Sequence, residues 1–281
     1  MAAFLLSAEN DAANENSASF FADAQRLGWS LIIAGAGKPW KGFASKLHWY
    51  AEALRALPLL PEPPLIILSD SRDVLCLRGP QEFQRAFESF RAPLVVSMEM
   101  FCDSILERGA NHELEYPHSQ CADLADYWRA IEHSQAMSPR QYVNSGLIAG
   151  RAPALLHFLD FALQGGYTDD QFALGKYMCA FPQNVAADTG AALLHTSGGG
   201  VNNGHVHTFQ SSDSPSLAEL VGNGAFFLHV PGIGASKGQA LYYATCKALL
   251  KDGIAHKFAQ SKPYKAPWGR SLRMEGPVIY F

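Results

Sequence analysis

Leu65-Ile66-Ile67-Leu68-Ser69-Asp70-Ser71-Arg72-Asp73-Val74 runs from an unbroken apolar segment into two carboxylates three residues apart. A strand that is apolar throughout is buried on both faces, as in a sheet covered by helices on each side. Sheets of that kind bind ligands beyond the carboxyl ends of their strands. Asp70 and Asp73 therefore emerge where such a fold does its chemistry, and two hard oxygen ligands there can hold a divalent cation that grips a diphosphate. Aspartate also favours turns and helix N-caps, so the pair alone does not establish a metal site.

The flanking sequence alternates strand and helix. Strands are expected at Phe4–Ala8, Trp29–Ala34 and Leu94–Ser97, and helices at Ser17–Leu27 and Pro80–Phe90. Phe43, Leu47, Tyr50, Leu54 and Leu57 form one stripe of a helix that the Pro-rich segment 58–64 ends. This repeat predicts an α/β protein with a Rossmann-type parallel sheet. From Phe101 to Arg140 the pattern gives way to a polar stretch with one helix near Ala122–His133. Tyr142–Gly150 resumes as strand and Ala152–Leu163 as helix. A further helix ends at Cys179, Ala225–His229 is a late strand, and Gln239–Lys251 a last helix. No internal repeat or linker divides residues 1–281, and a single domain with a basic extension over 256–281 is expected.

Composition narrows the function. The chain has 281 residues, 48% hydrophobic and 17% charged, with formal net charge −4, so no general attraction to nucleic acid or anionic membrane is expected. No apolar run approaches the roughly 20 residues a membrane span needs. The start lacks a basic flank and a secretory apolar run, and the five cysteines show no CxxC spacing. Both point to a reducing, cytoplasmic setting.

Several constellations have a chemical and a plain reading. Gly35-Ala36-Gly37 follows a strand as a dinucleotide-binding turn would, but Trp40 stands where the third glycine belongs. Thr168-x-x-Gln171 matches a capping box, with Asp169 and Asp170 complementing the helix dipole; a carboxylate there could instead deprotonate an acceptor hydroxyl. His229 ends an apolar strand ahead of the glycine-rich Pro231–Lys237, whose backbone N–H groups and lysine suit a phosphate. If His229 joins Asp70 and Asp73, two oxygens and one imidazole suit Mn²⁺ better than Mg²⁺. His205 and His207 have HxH spacing on a possible strand but no further ligands for a zinc site, and read as loop residues.

Taken in order, Gly35-Ala36-Gly37-Lys38-Pro39-Trp40-Lys41-Gly42 with Lys46, Ser69–Val74, Ser97-Met98-Glu99 with Cys102, Tyr116-Pro117, Tyr142-Val143-Asn144-Ser145-Gly146, Asp169-Asp170-Gln171, and His229 with its loop resemble one family. The likeness is to the glycosyltransferase domain of procollagen lysyl hydroxylases and to related collagen galactosyl- and glucosyltransferases. It spans about Phe4 to about Lys251 and includes none of the hydroxylase's iron-binding half. The resemblance implies a GT-A type, Rossmann-like mixed sheet flanked by helices on both faces, a Mn²⁺ ion and a UDP-sugar donor. On matching positions Asp70, Asp73 and His229 would ligate the metal. Trp40, Lys46, Ser69, Ser71, Gly232 and Lys237 would hold the nucleotide-sugar. Glu99, Asn144, Asp169 and Asp170 would face sugar and acceptor, a hydroxyl-bearing peptide hydroxylysine or glycan.

Three positions depart from the family. Arg72 replaces its aromatic residue between the metal-binding aspartates, Asp103 replaces its tryptophan after the cysteine, and His229-Val230-Pro231-Gly232-Ile233-Gly234 replaces its His-Gly-Asn-Gly loop. The expected activity is metal-dependent transfer of glucose or galactose from a UDP-sugar to a hydroxyl. The alternative is a non-catalytic nucleotide-sugar or glycan-binding protein, in which the Arg72 cation takes over part of the metal's role.

Overall fold

The computed structural model describes residues 3–11, 13–58, 61–99, 142–197, 201–202, 205–206 and 224–232, positions 240, 243, 244, 246–248 and 250, and residues 278–280. Its elements are β1 (Ala3–Ala8), α1 (Glu15–Arg26), β2 (Ser30–Ala34), α2 (Ala44–Ala56), β3 (Leu65–Ser69), β4 (Val74–Cys76), α3 (Phe83–Glu88), β5 (Leu94–Glu99), β6 (Tyr142–Arg151), α4 (Ala152–Gln164), α5 (Asp170–Ala180), β7 (Val185–Asp188), β8 (Leu194–Thr196), β9 (Val201–Asn202), β10 (His205–Val206), β11 (Phe227–His229) and β12 (Val278–Tyr280).

Ten strands form one sheet in the order β12-β2-β1-β3-β6-β5-β8-β11-β4, with β7 on β5. The sheet is mixed, not parallel as the strand–helix repeat alone predicts. β1, β2, β3 and β12 run together, but β6 is antiparallel to both β3 and β5, and β4 is antiparallel to β11. The reversal at β6 places its start beside the ends of β3 and β5, so residues from three strands meet at one sheet edge. Among the described residues no helix is long and apolar enough to cross a membrane.

β3 carries the expected two-sided burial. Ile66 and Leu68 join the core under α2, α4 and α5, whereas Leu65 and Ile67 join the core under α1 and α3. Full burial of each such side chain is worth about 1.5–3 kcal/mol, so this strand anchors both layers. In α2, Leu47, Tyr50 and Leu54 are buried as the stripe predicts, but Phe43 stands at the N-cap and is exposed. α3 is shorter than the expected Pro80–Phe90, because residues 80–82 form a turn ahead of it. A third, smaller core joins Leu75, Leu77, Leu228 and Val230 to Tyr243, Cys246 and Leu250 of the last helix. His205 lies on β10, paired with Asn202, the strand alternative to a loop; His207 lies outside the described residues.

Gly35 explains the turn after β2 without a dinucleotide. Its φ is +91°, and a Cβ there would sit 2.3 Å from the Trp49 ring. The glycine lets the chain reverse beneath that indole.

Candidate active site

β3 ends at Ser69 because the chain turns away after one more ladder bond, from the Asp70 N–H to the Gly146 carbonyl (2.9 Å). Residues 70–73 make the turn, and β4, unforeseen from sequence, returns antiparallel to β11 with Val74 opposite His229. The Val230 N–H donates to the Asp73 carbonyl at 2.8 Å, and the Ser197 N–H donates to the His229 carbonyl at 2.9 Å. Both aspartates and the histidine are therefore fixed by backbone bonds, although 155 positions separate the numbers 74 and 229 of the facing pair.

The three side chains converge. His229 Nε2 lies 3.4 Å from Asp73 Oδ1 and 3.9 Å from Asp70 Oδ2, and one ligand atom from each residue falls within 4.8 Å of the other two. Ligands about 2.1 Å from a shared ion in an octahedral shell lie roughly 3–4.2 Å apart, so the Asp–His spacings fit a divalent cation. Two carboxylates and one imidazole are a donor set that divalent first-row metal ions accept. Burial alone would lower the imidazole's affinity for a proton, but Asp73, Asp70 and Glu99 outweigh it and hold the His229 pKa above its ordinary value.

Gly146 makes room for this ring. A Cβ at position 146 would lie 2.3 Å from His229 Cε1 and 2.5 Å from Nδ1. The ring is 3% exposed. Its Nδ1 faces Asn144 Oδ1 at 2.9 Å, and Asn144 Nδ2 donates to Glu99 Oε2 at 3.2 Å. Asn144 and Glu99 thus border the centre, both nearly buried.

Lys46 supplies the cation opposite. From the buried face of α2 its Nζ reaches Asp70 Oδ1 (2.9 Å) and Asp170 Oδ2 (2.6 Å). Burial disfavours its charge, but Asp170 and Asp70 outweigh that, and its pKa stands well above the usual lysine value. The cap of α5 is Asp169, not Thr168: its Oδ1 accepts from the Phe172 N–H at 2.7 Å. Gln171 stands two residues past the cap, and its Nε2 donates to Glu99 Oε1 at 3.0 Å. Burial, with Asp170 next to it, pushes the Asp169 carboxyl up to about 6 against the pull of the Phe172 N–H. A carboxyl poised there can take a proton near neutral pH.

Two clefts meet at this centre. One, of about 430 Å³, is lined by Trp40, Trp49, Asn10, Asp11 and Arg72; the other, of about 360 Å³, by Glu99, Asn144, Asp169, Gln171 and Gly232. Phe43, Lys46, Asp70 and Asp73 line both. Trp40 is 46% exposed, with its ring tilted on Trp49 at 5.8 Å. Ser71 borders the first cleft, but its hydroxyl donates to Glu9 Oε2 at 2.8 Å, with the Ala8 carbonyl 3.1 Å away. Ser69 borders neither: it is fully buried and its hydroxyl donates to the Asp70 carbonyl at 2.6 Å. Lys237 lies outside the described residues, as do Cys102, Asp103 and Tyr116-Pro117.

Sequence reasoning missed Glu9. At the end of β1 it is buried and accepts from Arg72 Nε (3.1 Å) and Arg72 Nη2 (2.7 Å), from Ser71 and Ser17, and from the Asp11 N–H. Burial raises its pKa, but these donors outweigh that and bring it below the usual range. The available signal was an acid at the end of an apolar strand, the same signal as Asp70. The guanidinium of Arg72 is therefore paired with Glu9 while it lines the first cleft beside Asp70 and Asp73.

No family model matches the sequence, and no curated protein matches it. Among solved structures the chain is similar to a glycosyltransferase involved in glycosylation of the major capsid of PBCV-1, at 13% identity and TM-score 0.48, over 88% of this chain and all of that one. It is also similar to mouse xyloside xylosyltransferase 1 in its apo form, at 11% identity and TM-score 0.44, over 82% of this chain and 97% of that one.

Proposed function

We propose that this chain is a metal-dependent glycosyltransferase that moves a hexose, glucose or galactose, from a UDP-sugar to a hydroxyl acceptor. The observation that carries the reading is the convergence of Asp70, Asp73 and His229 between two clefts at the sheet edge. The ordered motifs shared with the glycosyltransferase domain of procollagen lysyl hydroxylases support it, with peptide hydroxylysine or a glycan hydroxyl as the acceptor class. We treat residues 1–281 as one such domain.

Asp70, Asp73 and His229 would hold the cation, with Mn²⁺ the ion their donor set favours. When bound, it supplies Lewis-acid stabilisation of charge developing on the departing diphosphate. The first cleft, under Trp40 and beside Lys46, takes the nucleotide; Gly232 borders the second, and Lys237 is assigned to the diphosphate. Lys46 keeps Asp70 oriented by holding its Oδ1, leaving Oδ2 toward His229. Asp170 is held by the same lysine and orients the start of α5. Asp169, with its raised pKa, takes the proton from the acceptor hydroxyl.

The test is UDP release from UDP-glucose and UDP-galactose with Mn²⁺ or with chelator, in wild type and Asp73→Ala. Turnover that needs Mn²⁺ and disappears in the variant is expected. Equal rates in the two proteins, or none with any sugar donor, would overturn the assignment.

A further inference from the structure

We infer that Asn144, backed by Glu99 and Gln171, fixes the tautomer and aim of His229, a positioning role in place of the sugar-facing one the resemblance implies. The inference rests on the metal-centre reading above.

The carboxamide of Asn144 has one accepting end and one donating end. The Gly146 N–H, which can only donate, lies 2.9 Å from one end, so that end is the oxygen. The other end lies 3.2 Å from Glu99 Oε2, and a carboxylate accepts, so that end is the NH2. Both constraints give the same orientation, and no flip satisfies either. The fixed oxygen also faces His229 Nδ1 at 2.9 Å, so Nδ1 must carry a hydrogen. A neutral imidazole protonated at Nδ1 keeps its lone pair on Nε2, the atom turned toward Asp70 and Asp73. The opposite tautomer would set Nδ1 against the Asn144 oxygen at 2.9 Å in exchange for a longer contact from Nε2–H to Asp73 at 3.4 Å, and would present that N–H to the ligand position.

Gln171 completes the frame. Its Nε2 donates to Glu99 Oε1 at 3.0 Å, and its Oε1 accepts from the Ser145 N–H at 3.3 Å. Glu99 is thus held on both oxygens. Gln171 lies in the first turn of α5, beside Asp169 and Asp170. The helix assigned to the acceptor and the histidine assigned to the cation therefore share one hydrogen-bonded frame. Asn144, Glu99 and His229 are each under 5% exposed, so little water competes for these bonds.

The experiment uses the full chain with ¹⁵N-labelled histidine. Proton-detected NMR of the metal-free protein, at a pH high enough for the ring to be neutral, should place the His229 hydrogen on Nδ1. Mn²⁺ titration followed by electron paramagnetic resonance should show Asn144→Ala binding about 10–100-fold more weakly than wild type, the range found for lost partners of metal-ligating histidines. Asn144→Asp, which keeps the accepting oxygen, should retain the Nδ1 hydrogen. A wild-type hydrogen on Nε2 overturns the inference whether or not any variant folds, and so does unchanged Mn²⁺ affinity in folded Asn144→Ala. A wild-type ring protonated at Nδ1 in a chain that binds no Mn²⁺ supports the positioning role and overturns the metal reading.

Discussion

Asp169→Asn should make the protein more stable at neutral pH. The Asp169 carboxyl is 5% exposed and its pKa is pushed up from 3.8 to about 6, first by burial and then by Asp170. A raised carboxyl pKa means the folded state holds the proton more tightly than the unfolded chain. As pH rises from about 4 to about 6 the unfolded chain releases that proton first, so stability falls across this window and stays lower above it. Two pKa units and a little more correspond to roughly 3 kcal/mol. Asparagine keeps an oxygen for the Phe172 N–H and so keeps the helix cap, but it never ionises. Urea unfolding from pH 4 to pH 8 should therefore show the variant gaining on wild type by up to ~3 kcal/mol as pH rises. Any fixed penalty for the added NH2 shifts the whole difference curve without changing its slope. UDP-sugar turnover should be lost. A stability difference that is flat with pH, or that falls toward pH 8, would refute the reasoning.

Other perturbations probe the surrounding frame. Gly146→Ala puts a Cβ within 2.3 Å of the His229 ring, so the ring must move; Mn²⁺ affinity should fall at least about tenfold, with about 1–3 kcal/mol lost in urea unfolding. Arg72→Met leaves the buried Glu9 carboxylate without its two guanidinium bonds. It should lower stability at pH 7 by about 1–3 kcal/mol. Because the folded Glu9 pKa lies below its ordinary value, the stability it brings is present at neutral pH and lost on acidification; the deficit of the variant should shrink as pH falls below about 4. Lys46→Met removes the cation shared by Asp70 and Asp170. Its melting temperature should drop, and Mn²⁺ should raise it by more than in wild type, because a bound cation restores positive charge beside Asp70.

Much of this was legible in the residues themselves. An apolar run this short, with prolines just before it, reads as a strand buried on both sides, and β3 sits between the two main cores accordingly. The carboxylates at its end had to emerge at the sheet edge, and β11 brings His229 there. The direction of β6 was not legible, because a strand's direction depends on where a long connection returns it, and periodicity is the same both ways. β4 escaped notice because three residues are too few to show a pattern. The helix start was placed one residue early because Asp169 caps as well as Thr168 does, and sequence alone does not choose between adjacent caps. The burial of Ser69 was not legible, because a hydroxyl inside a strand can serve a backbone carbonyl as readily as a ligand. The Glu9–Arg72 pair joins residues 63 apart in sequence, and charge alone does not say which acid an arginine will meet.

One titration bears on all of this more directly than any other: Mn²⁺ added to the metal-free chain and followed by electron paramagnetic resonance, in wild type, Asp70→Asn, Asp73→Asn and His229→Ala. One strong site per wild-type chain is expected, tightened by UDP and abolished or severely weakened in each variant. An affinity and stoichiometry indifferent to all three substitutions would contradict it.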